Sequence, residues 1–132
     1  MTTFENSVII HKPATEVYTF LKDLSNHEQL MPDNIQDWKA TPDEASFTIK
    51  NMASLHLEVS NRIANREVSA VPKGKAPIDI TLKWTLEPQA DDQTKATFTI
   101  QAELNMMLKM IASGPLQKLV DHQIQRLGQL LQ

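Results

Sequence analysis

The sequence contains no cysteine and only three glycines, Gly74, Gly114 and Gly128. The first absence excludes disulfides, cysteine-based zinc sites and thiol catalysis. It is compatible with a reducing compartment, and the expected location is the cytoplasm. The scarcity of glycine excludes a Gly-rich phosphate cradle and a Gly-x-Ser-x-Gly nucleophile elbow. There is no excess of positive charge either: 13 Lys and Arg stand against 16 Asp and Glu, for a net charge of −3. A nucleic-acid binder needs a basic footprint to displace counterions, so no nucleic-acid partner is expected. Long apolar runs are missing as well. The most apolar stretch, Leu104 to Ala112, is interrupted by Asn105 and Lys109. A membrane span needs about 20 apolar residues, so no stable membrane insertion is expected. The start, Met1 to Asn6, has neither the basic residues nor the apolar stretch of a signal peptide.

What is present fits one domain over residues 1–132, with 41% hydrophobic and 22% charged residues. Phe4 to Lys12 is rich in β-formers and reads as a strand. Pro13 ends it and suits the first turn of a helix. Val17, Phe20, Leu21 and Leu24 then follow at helical spacing. Ser25 with Glu28 forms a capping-box pattern for a second, short helix that Pro32 closes. The middle of the chain predicts strands over Ile35–Thr41, Ala45–Ile49, Leu55–Val59 and, less regularly, Arg66–Val71. The clearest strands follow. Ile78, Ile80, Leu82, Trp84 and Leu86 alternate with polar residues, as do Ala96, Phe98, Ile100, Ala102 and Leu104. Strict alternation means one buried and one wet face, the pattern of an antiparallel sheet. Pro88 to Gln93 reads as the loop between them.

The last segment, Asn105 to Gln132, predicts a helix with Asn105 as N-cap. Ser113-Gly114-Pro115 is expected to kink or briefly break it. Leu116, Leu119, Val120, Ile124, Leu127 and Leu131 form its apolar stripe. A lone helix of this kind is marginal, and the apolar face of the sheet is the surface available to it. The expected fold class is therefore α+β: one strand, two helices, five or six strands, then a long helix gripped by a curved antiparallel sheet.

In this order of elements the chain resembles the START/Bet v 1-like superfamily, whose helix-grip fold also carries the label polyketide cyclase/dehydrase and lipid transport. The residues that carry the resemblance are Lys12 to Asp23, Ser25 to Glu28 through Met31-Pro32, and the stripe from Leu116 to Leu131. The resemblance implies a cavity between the final helix and the concave sheet, used for lipids, quinones, polyketides or similar ligands. Some relatives are cyclases or hydrolases and others are carriers, and the fold alone does not choose among them.

Three functional readings follow. The first is binding of a small hydrophobic or amphipathic ligand, without cofactor. The residues expected to line its site are Phe47, Leu57, Trp84, Phe98, Met106, Met107, Met110 and Leu116. The three methionines suit either a promiscuous apolar site or an ordinary core. Met106 and Met107 lie about 100° apart on a helix and cannot both face inward. The second reading is a cyclase- or hydrolase-type enzyme in the same cavity, with Asp33, beside the implied cavity mouth, as candidate acid or base. The third is an interaction domain with a filled core. The four histidines, His11, His27, His56 and His122, show no metal-ligand spacing, and no metal site is expected.

Overall fold

The computed structural model describes residues 1–132. Seven strands form one antiparallel sheet: β1 (Thr2–Ile10), β2 (Ile35–Ala40), β3 (Glu44–Ile49), β4 (Ala53–Ile63), β5 (Glu67–Pro72), β6 (Asp79–Ala90) and β7 (Gln93–Glu103). Their order across the sheet is β1-β7-β6-β5-β4-β3-β2. Between β1 and β2 lie helix α1 (Ala14–Leu21) and a 3₁₀ helix (Leu24–Leu30). The chain ends in α2 (Met106–Leu130), which packs on β1, β7 and the 3₁₀ helix. This is the curled sheet and long C-terminal helix of an α+β helix-grip fold.

Register follows the apolar alternation. Trp84 of β6 stands opposite Phe98 of β7, and Phe4 of β1 stands opposite Ile100. Phe98, Ile100 and Ala102 are buried with Ile80, Trp84 and Leu86 on one face, while Lys83, Thr97 and Thr99 stay half-exposed on the other. A slip of one residue would turn every one of these side chains to the wrong side. The hairpin between β6 and β7 is tighter than the expected loop: strand pairing continues to Ala90 and Gln93, leaving only Asp91-Asp92 at the turn.

β2 breaks its own alternation. The pairing with β3 shifts between Gln36 and Lys39, and Asp37 there has φ +56°. Asp is among the few residues that enter this left-handed region at modest cost. The extra residue moves the strand's phase by one. As a result Trp38 joins Ile35 against the core, although the two are three residues apart.

Two helical details differ from expectation. The 3₁₀ helix is capped by Asp23, whose Oδ1 accepts from the Ser25 backbone N–H at 2.9 Å, in place of a Ser25–Glu28 capping box. Hydrogen bonds from the Ser25 hydroxyl and backbone N–H hold the Asp23 carboxyl below its ordinary range. An Asp two residues ahead is the stronger cap, because its charge also suits a helix start. α2 continues through Pro115 without the break that was one of the two expected outcomes there. A proline inside a helix costs about 3 kcal/mol, and the buried stripe Leu116, Leu119, Val120, Ile124 and Leu127 offsets it. Asn105 caps α2 as expected, accepting from Leu108 N–H at 2.8 Å. No helix is long and apolar enough to cross a membrane.

Candidate functional site

A narrow cavity lies between the concave face of β2–β7, the 3₁₀ helix and the middle of α2. Twelve of its 14 lining residues are apolar, and the two polar ones are His27 and Gln123. No Lys, Arg, Asp or Glu is among them. The space open to the centres of water molecules is about 40 Å³, and the whole atom-free space within the rim, mouth included, is about 470 Å³. The smaller figure measures the cavity itself: at roughly 10–15 Å³ per water centre it holds about three waters.

The sheet supplies the aromatic walls. Trp84 and Phe98 are directly opposed across β6 and β7, their rings stacked with centroids 4.6 Å apart. Trp38, brought inward by the bulge in β2, stacks on Phe47 of β3 at 5.4 Å. Leu57, Val68, Ala70 and Leu82 fill the wall between the two stacks. Leu24 and Met31 close it from the 3₁₀ side, and Leu119 closes it from α2.

The polar groups are few and deeply placed. Trp84 Nε1 and Gln123 Oε1 are buried with no hydrogen-bond partner in the chain. Leaving such a group unpaired costs about 1–3 kcal/mol, so each is an exception that calls for a reason. Gln123 is only 1% exposed, and its Nε2 faces the Met31 thioether at 4.0 Å. His27 Nε2 lies 2.8 Å from the Leu21 carbonyl. A carbonyl only accepts, so Nε2 carries the proton and donates. Burial is the larger influence on this ring and pushes its pKa below the ordinary histidine value, which keeps the imidazole neutral at pH 7.

The expected site residues divide into three groups. Phe47, Leu57, Trp84 and Phe98 line the cavity together. Leu116 is fully buried in the core but outside the lining. Met106, Met107 and Met110 are 82%, 72% and 84% exposed and line nothing. The physical reason is helical phase: Ala112 and Leu116 are buried and Leu108 packs on the core, so the inward stripe is Leu108-Ala112-Leu116. The methionines lie on the outer side of those turns. Asp33 is also displaced from the cavity. Its side chain is 91% exposed and accepts from Lys118 Nζ at 2.8 Å. That bond holds its carboxyl below the ordinary range, and it faces solvent as a carboxylate.

His27 and Gln123 are the polar site residues that sequence reasoning missed. For Gln123 a signal exists, since it lies four residues after Leu119 and four before Leu127 on the buried stripe. His27 carries no such signal, because a 3₁₀ turn does not follow the 3.6-residue period.

No family model matches the sequence, and no curated protein matches it. Solved structures do match along almost the entire chain. The protein TTHA0849 from Thermus thermophilus is 14% identical with a TM-score of 0.78, covering 98% of this chain and 97% of that one. A START superfamily protein from Mycobacterium smegmatis is 14% identical with a TM-score of 0.68, covering 97% and 98%. The Zhui aromatase/cyclase from Streptomyces sp. R1128 is 11% identical with a TM-score of 0.71, covering 99% and 96%. At these identities the likeness is one of fold. The fold is START/Bet v 1-like, the helix grip.

Proposed function

We propose that this protein binds a small hydrophobic or amphipathic ligand in the cavity between the sheet and α2, with Phe47, Leu57, Trp84 and Phe98 as contact residues. The observation that carries this reading is an apolar cavity into which a START-like fold sets unpaired buried polar atoms. Ligand sites are typically apolar with a few placed polar groups. At about 40 Å³ the cavity is far below the roughly 300–1,000 Å³ of a site for drug-sized ligands. The ligand is therefore small, or it enters by moving Met31 and α2 aside. That an aromatase/cyclase shares this fold supports counting ring-shaped ligands among the candidates. The lack of cysteine supports a cytoplasmic setting.

A catalytic reading ranks second. Its one favourable observation is His27, a neutral imidazole in the cavity lining. Against it, no carboxylate lines the cavity to hold an imidazolium.

The chain has two tryptophans, and both line the cavity. Indole fluorescence therefore reports directly on occupancy. Titration with short-chain alcohols, quinones and monocyclic aromatics is expected to change the emission saturably. NMR shifts are expected to concentrate at Trp84, Phe98 and Phe47. If no such compound moves either signal, the binding function fails.

A further inference from the structure

This inference rests on the binding function proposed above and adds the chemistry of the ligand. We infer that Trp84 and Gln123 form a subsite for one neutral hydroxyl group, whose oxygen accepts from the Trp84 Nε1–H while its proton is donated to Gln123 Oε1.

The two atoms are buried and unpaired, and their residues line the same cavity from opposite walls, Trp84 on β6 and Gln123 on α2. An indole N–H only donates and an amide oxygen only accepts. They are not hydrogen-bonded to each other. A single group that satisfies both must accept at one end and donate at the other. A hydroxyl does this with one oxygen, as does the water that it would displace. An ether only accepts, and a methyl group does neither. Gln123 Nε2 faces Met31 Sδ at 4.0 Å, which leaves Oε1 as the amide atom without a partner.

Charge decides against anions. No Lys or Arg lines the cavity. The one other polar lining residue, His27, gives its Nε2–H to the Leu21 carbonyl, and its burial keeps the ring neutral. A carboxylate or phosphate would lose its hydration there with no cation to replace it. It would also leave Gln123 Oε1 without a donor. The rest of the lining is apolar and aromatic, suited to a short alkyl body or, with Met31 and α2 moved aside, to a ring. The ligand class is thus a neutral phenol or alcohol on a compact apolar skeleton.

A matched series on one ring separates the possibilities: phenol, anisole, toluene and benzoate, titrated into the ¹⁵N-labelled full chain. The two indole N–H resonances are assigned with Trp38→Phe. Phenol is expected to bind about tenfold more tightly than anisole or toluene, because a polar pair built for a hydroxyl is left unpaired by its analogues. Benzoate is expected to bind most weakly. The Trp84 indole proton should move downfield with phenol and anisole but not with toluene. Gln123→Leu should level phenol with anisole. Should toluene bind as well as phenol, or benzoate bind best, the hydroxyl subsite is overturned while the binding function stands. Should none of the four bind, the binding function itself falls and the subsite falls with it.

Discussion

The indole of Trp84 and the ring of Phe98 stack at 4.6 Å with their planes 19° apart, on residues directly paired across β6 and β7. The two rings share one wall but not one chemistry, since Trp84 alone carries a buried N–H without a partner. Phe98→Ala is expected to destabilise by about 3–5 kcal/mol, as for other buried rings. Trp84→Phe keeps an aromatic face and removes the orphan donor, so it should cost less than about 1.5 kcal/mol. Urea unfolding of both variants checks the ordering. A Trp84→Phe loss equal to that of Phe98→Ala would show that the N–H is satisfied in the folded protein.

His27 sets a pH dependence. Burial lowers its pKa from the ordinary value of 6.5, so the unfolded chain binds the proton more readily than the folded one. Stability then rises with pH. The contribution is complete above about pH 6.5 and is lost as the pH falls below that value toward the folded pKa. Asp23, Asp33 and Glu44 are shifted downward too and act with the same sign, but in the carboxylate range near pH 4 and below. Between pH 7 and pH 5 the folded state should lose at most about 2 kcal/mol through His27. His27→Gln should flatten that slope. An unchanged slope in the variant would refute the assignment.

Met106, Met107 and Met110 make a simpler case. They are exposed, so replacing all three with Gln should change stability by less than about 0.5 kcal/mol per site. Ligand-induced fluorescence changes should be the same as in the parent protein. Thermal melts and one titration suffice. A drop in affinity would return the methionines to the binding site.

Pro115 interrupts the hydrogen bonding of α2 without ending the helix. Pro115→Ala restores the donor for the Ile111 carbonyl and should stabilise the protein by about 1–3 kcal/mol. The urea midpoint reads this directly. Destabilisation would mean that the proline ring is needed for packing against the core.

The fold was legible where burial and period agree. In β6 and β7 the side chains Ile80, Trp84, Leu86, Ala96, Phe98 and Ile100 all turn inward as their alternation requires. Trp38 was not legible, because strict alternation would place it on the side opposite Ile35, and only the bulge at Asp37 reverses that. The start of α2 is apolar on several faces, so its composition does not reveal which face meets the sheet. The choice rests on Leu108, Ala112 and Leu116, which pack inward and leave the methionines outside. In the cavity, Phe47, Trp84 and Phe98 announced themselves through strand pattern, and Trp38 did not. The polar members did not, since Gln123 and His27 are residue types less often found fully buried.

The first strand in the chain is an edge of the finished sheet and pairs only with the last strand, Thr2 with Ala102 through to Ile10 with Thr94. On a ribosome, therefore, β1 has no partner until β7 has been made. Its nine residues stay without their partner until β7 emerges, and α2 packs on both strands. Joining ends so distant in sequence carries a loop-closure cost that is met late. Because α2 follows β7 and supplies Leu119 and Gln123 to the lining, a chain made only as far as β7 has no closed cavity.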